Sequence, residues 1–367
     1  MYNNALRVLN RWVPISLLGF GLAVSAASAQ AQRAPAMPDS LPQGQPVKPT
    51  PVPPGTEPRE STDPQVKEVL DQMSAAGLLH PTTLDQARKA FLFYSKFAGP
   101  PEAVFHVDDR FAPGQAGQIP IRVYQPRAGG GLPVFVYFHG GGFVSGGLDT
   151  HDSSLRAVTN RCDCVVVSVA YRLAPENHFP AAAEDAYAAT KWTAENAQAI
   201  GGDPQRIAVG GDGSGGNLAA VVTQMARDRK GLALAFQVLI YPSLDPSMLT
   251  YSWIASRDPI ATSQAQLVLW SVYVPVGTDP ETPYIAPVNG NLHNLPPALM
   301  IIGSNDPARD EDQRYAEGLQ SAGVHVDVIT FDNMVHGFFL MGGKVDAGKK
   351  AIDDVGAALK KAFQSGK

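Results

Sequence analysis

Residues 210–217 read Gly-Gly-Asp-Gly-Ser-Gly-Gly-Asn, and this run decides the fold of the chain. A strand-like segment, residues 206–209, precedes it, and a helix-like segment, residues 218–222, follows it. A strand, a tight glycine-rich turn and a helix form a nucleophile elbow, which holds its central residue at the top of an α/β sheet. The elbow pattern is Gly-x-Ser-x-Gly, and Gly211 and Gly215 have its spacing. The run therefore predicts an elbow.

The central position of this elbow carries no hydroxyl. Gly213 stands midway between the flanking glycines, and the nearest hydroxyl belongs to Ser214, one residue later. Adjacent Cα atoms lie about 3.8 Å apart, so Ser214 reaches the nucleophile's place only if the turn remodels. Two interpretations stay open: Ser214 acts as the nucleophile in a remodelled turn, or a serine once stood where Gly213 now stands.

Apolar strands alternate with helix-like stretches along most of the chain. The predicted strands are residues 104–107, 119–124, 132–138, 165–169, 207–209, 234–240, 299–302 and 326–331. The predicted helices are residues 64–98 with a break near 77–81, 181–199, 218–227, 311–322 and 345–364. Such alternation predicts an α/β fold, a mostly parallel central sheet with helices on both faces. Sites in these sheets lie beyond the carboxyl ends of the strands.

Three further motifs each follow a predicted strand. The first is the run His-Gly-Gly-Gly at residues 139–142, whose glycines let backbone N–H groups turn toward a ligand, as in an oxyanion hole. Asp306 comes next, and it is either a turn residue or a carboxylate that orients an imidazole. His336 follows thirty residues later. The order elbow, acid, histidine is that of α/β-hydrolases.

Together these motifs resemble the hormone-sensitive-lipase family of bacterial esterases (bacterial family IV), a branch of the α/β-hydrolase fold. The matching residues are 139–142, 171–176, 179–182, 212 with 215–217, 306–307 with 309–311, and 336–339. The resemblance covers roughly residues 64–364. It implies an N-terminal helical cap at about residues 64–98, which forms part of a lid over the acyl pocket.

The resemblance also implies roles for individual residues. Asp306 corresponds to the acid of a catalytic triad, and His336 to its general base. Gly141 and Gly142 correspond to two donors of the oxyanion hole, and Ser214 to the third, through its backbone N–H. The Ser214 hydroxyl is the candidate nucleophile if the turn remodels.

The departure from the family pattern lies at the nucleophile, because the family serine falls on Gly213 when the motif is aligned without a gap. The first functional hypothesis is a serine-type carboxylic ester hydrolase that acts on short to medium acyl esters through an acyl-enzyme. It needs no cofactor and no metal. The alternative is a catalytically silent relative that binds a small hydrophobic ligand. A third hypothesis, a tethered interaction protein, does not explain Asp306, His336 and the oxyanion glycines.

The first residues of the chain carry the marks of a secretory signal peptide. Arg7 and Arg11 precede a short apolar stretch that ends in Ala-Ser-Ala, which predicts a signal peptide at residues 1–31. An uncleaved anchor helix is the alternative. A Pro-rich linker follows at residues 32–62, and the hydrolase domain spans residues 63–367. The expected location is secreted or periplasmic, without stable membrane insertion after cleavage.

Charge and cysteine content limit the partners. The formal net charge is −5 and no long basic run occurs, which argues against nucleic acid. Cys162 and Cys164 are the two cysteines. We expect two small residues at the start of a buried strand, since strand residues two apart lie too far apart for an unstrained bridge. A strained local disulfide or a surface thiol pair is the alternative. The family resemblance adds a homodimer as an expectation.

Overall fold

The computed structural model describes residue 61 and residues 63–365. The predicted signal peptide and Pro-rich linker lie outside the described residues, apart from residue 61.

The centre of the fold is an eight-stranded sheet in the order β1-β2-β4-β3-β5-β6-β7-β8. Its strands are β1 His106–Gly114, β2 Gly117–Gln125, β3 Leu132–Phe138, β4 Val165–Val169, β5 Gly202–Asp212, β6 Phe236–Ile240, β7 Ala298–Gly303 and β8 Val326–Phe331. The pairs β1–β2 and β2–β4 are antiparallel, and the other pairs are parallel. This confirms the predicted α/β fold with a mostly parallel sheet.

Helices cover both faces of this sheet. They are α1 Pro64–Ala75, α2 Leu84–Tyr94, α3 Asp152–Cys162, α4 Ala181–Glu195, α5 Ser214–Arg229, α6 Tyr251–Ala255, α7 Ser263–Tyr273, α8 Arg309–Ser321 and α9 Asp346–Ser365. Alternate residues of β3 enter two different hydrophobic clusters: Val134 and Val136 pack with α4 and α5, and Phe135 and Tyr137 pack with α3 and α9. A strand buried on both faces explains why β3 is a continuous apolar run.

The N-terminal helices begin where the sequence supplies caps. The Asp63 carboxylate accepts hydrogen bonds from the backbone N–H groups of Gln65 and Val66 at the start of α1. The Thr83 hydroxyl accepts one from Gln86 at the start of α2. The break between the two helices matches the break predicted near residues 77–81.

The expectation of two separate cysteines at a strand start is wrong in this structure, which contains a Cys162–Cys164 disulfide. Cys162 ends α3, and Asp163 takes the left-handed conformation with φ 50° and ψ 44°. This bend brings the two Cα atoms to 5.2 Å, within the range that a disulfide spans. The sequence prediction failed because it did not place a helix before Cys162.

Candidate active site

The predicted elbow lies between β5 and α5, with Gly213 at its apex. Gly213 has φ 53° and ψ −118°, a region in which other residues are strained. Its N–H donates to the Ile240 carbonyl oxygen (3.0 Å), and its carbonyl oxygen accepts from the N–H groups of Asn217 and Ser243 (both 3.1 Å). These three hydrogen bonds fix the turn on both sides.

The two flanking glycines are required by close packing. A Cβ on Gly211 would lie 2.3 Å from the Phe138 carbonyl oxygen. A Cβ on Gly215 would lie 1.9 Å from the same oxygen and 2.6 Å from the His139 carbonyl oxygen. The elbow spacing therefore has a steric cause, since the backbone after β3 crosses directly against both positions.

His336 and Asp306 form a hydrogen-bonded pair beside the elbow. The distance from His336 Nδ1 to Asp306 Oδ2 is 2.8 Å, and the other Asp306 oxygen accepts from the Ala308 N–H (2.8 Å). The Asp306 side chain is fully buried, whereas one fifth of the His336 side chain is exposed. A Cβ on Gly213 would lie 3.3 Å from His336 Nε2. One nitrogen of the imidazole thus binds the acid, and the other faces the space that a side chain at position 213 would fill.

The surroundings of His336 favour its protonated form. Burial is the largest single effect and lowers the pKa of the imidazole, whereas the adjacent Asp306 carboxylate raises it through its charge and its hydrogen bond. The more distant charges of Asp258 and Asp212 act in the same direction as Asp306. Together they raise the pKa of His336 to about 9. A carboxylate in this position also stabilises the imidazolium that forms when the base takes a proton.

The raised pKa predicts an alkaline activity profile. Only the neutral imidazole accepts a proton, so kcat/KM for an uncharged ester should rise with pH through about 9 and level above it. The measurement is initial rates across a buffer series, corrected for solvent hydrolysis. The Asp306→Asn variant should show its inflection at lower pH, because the raising charge is gone. An inflection of the parent chain near the ordinary value of about 6.5 would contradict this prediction.

Asp258 is a second carboxylate at His336 that sequence reasoning missed. Its Oδ2 accepts from the His336 backbone N–H (2.7 Å), and its Oδ1 accepts from the N–H groups of Ile260 (2.7 Å) and Ala261 (3.0 Å). Burial, and next the charge of Asp306, raise the pKa of Asp258 to about 6. No local motif announces this role, because the contact spans 78 residues.

Replacing Asp258 with asparagine should weaken the hydrogen bonds that hold the backbone of His336. The amide has one oxygen and one donor group, so at least one backbone N–H loses its acceptor, at a cost of about 1–3 kcal/mol. We expect urea denaturation to show that loss, and the pH profile of ester hydrolysis to move toward lower pH. Asp279→Asn is the matched control, since that carboxylate lies in an exposed turn and accepts the Glu281 N–H. Equal effects of the two substitutions would refute a specific role for Asp258.

Two of the predicted oxyanion donors lie on the loop after β3, residues 139–144, which we call the oxyanion loop. The third lies at the start of α5. Among the described residues, the backbone N–H groups of Gly141, Gly142 and Ser214 have no protein acceptor. Gly141 and Gly142 have φ values of 118° and 63°, which glycine tolerates. The loop is tied to the elbow, because the Gly140 N–H donates to Asp212 Oδ1 (2.9 Å).

A buried polar network surrounds Asp212, the residue before the apex. Its Oδ1 also accepts from the Tyr137 hydroxyl (2.7 Å) and contacts His151 Nε2 (3.0 Å). Burial opposes ionisation, but His151, Tyr137 and the Gly140 N–H hold the pKa of Asp212 below its ordinary value. Hydrogen bonds to the ionised Asp212 therefore connect the elbow with the oxyanion loop and with His151 at the start of α3.

The Ser214 hydroxyl lies inside the protein. Ser214 is the first residue of α5 and is 1% exposed. The Ser214 hydroxyl lies next to the Tyr171 hydroxyl. Burial raises the pKa of the Tyr171 hydroxyl, and the neighbouring Ser214 lowers it. The Tyr171 hydroxyl donates to the His139 carbonyl oxygen (2.6 Å). Of the hydrogen bonds among the described residues, none joins the Ser214 hydroxyl to His336.

Two helical segments lie against the oxyanion loop. From α2, the Arg88 Nε donates to the Val144 carbonyl oxygen (2.8 Å). From α7, Leu269 lies 2.5 Å from where a Cβ on Gly142 would stand, and Tyr273 stacks on Phe143 with ring centroids 3.8 Å apart. The sequence pattern predicted a cap only at residues 64–98, so α7 is a second helical wall that was not foreseen.

Comparisons with known proteins agree with this geometry. Residues 135–340 match the model of a family described by its alpha/beta hydrolase fold. Carboxylesterase NlhH of Mycobacterium tuberculosis is 40% identical over 320 residues, which cover 84% of this chain and 98% of the relative. Ethyl acetate hydrolase of Pseudomonas putida is 34% identical over 293 residues, which cover 77% of this chain and 91% of the relative.

Two solved structures of ester-hydrolysing proteins superpose on this chain. An esterase from Pyrobaculum calidifontis superposes with a TM-score of 0.76 at 40% identity, covering 82% of this chain and 98% of that one. An ester hydrolase from the metagenome of Lake Arreo, solved with a bipyridine phosphonate derivative, superposes with a TM-score of 0.78 at 36% identity. That match covers 82% of this chain and 99% of the other.

The described residues, 61 and 63–365, contain no group of three or more His, Cys, Asp or Glu side chains arranged to hold a metal ion. None of the helices in this part of the chain has the length and apolar character needed to cross a membrane.

Proposed function

Because this chain belongs to the serine-type carboxylic ester hydrolases of the α/β-hydrolase fold, we propose that it hydrolyses short to medium acyl esters at the site formed by Gly213, Asp306 and His336. The comparisons favour ester hydrolysis over the alternative of a silent ligand-binding relative. The relative named ethyl acetate hydrolase supports small esters as substrates.

One observation carries the assignment of the site. His336 lies between the Asp306 carboxylate at 2.8 Å and position 213, whose Cβ would stand 3.3 Å from Nε2. In this arrangement His336 is the general base, and Asp306 orients it and stabilises its charged form. The N–H groups of Gly141, Gly142 and Ser214 are the donors for the developing oxyanion.

We assign the place of the nucleophile to position 213 and not to the Ser214 hydroxyl. The apex of the elbow is Gly213, and its backbone is held by three hydrogen bonds. Ser214 continues into α5, with its hydroxyl buried next to Tyr171. Ser214 then serves through its backbone N–H alone.

The side chains beside the site are largely apolar. Phe143, stacked on Tyr273, and Leu269 stand on the oxyanion side. On the histidine side, the Tyr94 hydroxyl of α2 lies 2.8 Å from where a Cβ on Gly337 would stand. Aromatic and aliphatic side chains on both sides suit the acyl chain of an ester.

His336→Ala tests this proposal. We expect kcat/KM for p-nitrophenyl butyrate to fall by about 10²–10⁴-fold, the usual contribution of a general base. The matched control is His325→Ala, since His325 is an exposed histidine paired with Asp327, away from the site. Its activity should equal that of the parent chain. If both variants keep the parent rate, hydrolysis does not occur at this site.

Export and dimerisation are further proposals. The charged start and short apolar stretch before residue 31 support export, and the Cys162–Cys164 disulfide suits an oxidising compartment. N-terminal sequencing of the protein from the culture medium tests export.

β8 is an edge strand, which leaves one side of it available for pairing with a second copy. Light scattering tests the homodimer, and a monomeric mass would contradict it.

A further inference from the structure

Position 213 offers space for a small nucleophile beside the general base. A Cβ built on Gly213 would have two protein atoms within 4 Å, apart from its chain neighbours: Nε2 and Cε1 of His336, at 3.3 and 3.8 Å. Residues other than 213 and its chain neighbours place no further atom within 4 Å of that point, among the described residues. The space in front of the Gly213 Cα, which a serine side chain would fill, is therefore available to a water molecule in contact with that Cα, on the side of the imidazole nitrogen that faces away from Asp306.

The elbow resists a rearrangement that would supply a protein hydroxyl. Moving Ser214 into the apex would break the hydrogen bonds of Gly213 with Ile240, Asn217 and Ser243. It would also remove a residue from the first turn of α5. The backbone next to the flanking glycines is so close that a single added carbon clashes there. The turn is therefore fixed, and the hydroxyl of Ser214 stays next to Tyr171.

We propose that water at position 213 is the nucleophile of this chain, and that the ester is hydrolysed by direct attack without an acyl-enzyme. This inference rests on the proposed function, because it uses the same base and the same oxyanion donors. It differs from the family route in one respect: the oxygen that attacks the carbonyl carbon comes from solvent and not from a side chain.

The steps balance as an ordinary ester hydrolysis. The water oxygen forms a bond to the carbonyl carbon while one of its protons passes to His336 Nε2. The N–H groups of Gly141, Gly142 and Ser214 hold the negative oxygen of the tetrahedral intermediate. The bond to the leaving alkoxide then breaks, and the alkoxide takes the proton from Nε2. The products are the carboxylic acid and the alcohol, and the enzyme is unchanged.

This route has consequences that distinguish it from an acyl-enzyme. The chain should turn over esters more slowly than an enzyme with an intact triad. Its rate should lie about 10²-fold or more above the roughly 10³–10⁴-fold enhancement that an oxyanion hole and binding supply alone, because His336 adds general-base catalysis. It should show no burst of alcohol at the start of the reaction. It should also resist covalent labelling by a fluorophosphonate, since no hydroxyl stands next to the base.

The experiment is rapid-quench kinetics with p-nitrophenyl butyrate at high concentrations of the full chain, followed by intact-mass analysis of the quenched protein. For the parent chain we expect linear release of p-nitrophenol, no butyryl adduct, and a loss of about 10²-fold or more in His336→Ala. The Gly213→Ser variant provides the contrast, with a burst approaching one equivalent and one butyryl adduct.

One outcome would overturn the inference and leave the proposed function intact: a butyryl adduct on Ser214 or His336 of the parent chain during turnover. Two other outcomes would overturn both. One is a parent chain with no turnover above the solvent rate. The other is parent turnover that does not depend on His336, together with no burst in Gly213→Ser.

Discussion

The Gly213→Ser variant is expected to hydrolyse a short p-nitrophenyl ester with a kcat/KM at least about 10³-fold above that of the parent chain. A serine side chain would begin 3.3 Å from His336 Nε2, with Asp306 already paired to the other ring nitrogen. Removing the serine of such a triad costs on the order of 10⁶-fold in a serine protease. Restoring it recovers part of that factor, because the base and the oxyanion donors are already in place.

The gain in rate should come with a loss in stability. Position 213 has φ 53°, where a non-glycine residue is strained by about 1–3 kcal/mol. Urea denaturation should therefore show a less stable but more active variant. Gly130→Ser is the matched control: a Cβ at Gly130 meets no atom within 4 Å, and its φ lies outside the positive region. A Gly213→Ser variant no more active than Gly130→Ser would show that the site has been assigned wrongly.

Gly215→Ala should have the largest effect on stability of any single methyl group added to the elbow. The new carbon would lie 1.9 Å from the Phe138 carbonyl oxygen and 2.6 Å from that of His139. Both atoms belong to backbone next to β3, so neither moves aside without disturbing the sheet and the oxyanion loop. We expect the free energy of unfolding to fall by at least about 3 kcal/mol, the upper range for overpacking.

The control for this substitution is again at Gly130. Gly130→Ala should change the free energy of unfolding by less than about 0.5 kcal/mol, since the added methyl group meets open space. Soluble expression, circular dichroism and urea denaturation of the two variants give the comparison. A Gly215→Ala protein as stable as Gly130→Ala would mean that the close approach of β3 to the elbow is wrong.

The sheet and the elbow could be predicted from the sequence because each depends on a pattern of residues that are close together in the chain. The continuous apolar run of β3 signals burial on both faces, and the structure packs its alternate residues into two clusters. The spacing of Gly211 and Gly215 signals an elbow, and the structure gives the steric cause. The sequence also placed Asp306 and His336 after strands that end at the same edge of the sheet, and the structure brings the two side chains to 2.8 Å.

The remaining features depend on contacts between distant residues. Asp258 supports His336 across 78 residues, and His151 reaches Asp212 across 61, with no periodic pattern to mark either pair. The Cys162–Cys164 disulfide depends on where α3 ends, and a helix end is set by packing as much as by sequence. The wall formed by α7 could not be foreseen for the same reason, because its role comes from lying against Phe143.

Peptide mapping of the fluorophosphonate-treated Gly213→Ser variant tests whether position 213 is the place of the nucleophile next to His336. We expect one phosphonate adduct, on residue 213, and its loss when His336→Ala is added to the variant. An adduct on Ser214, or labelling that does not depend on His336, would contradict it.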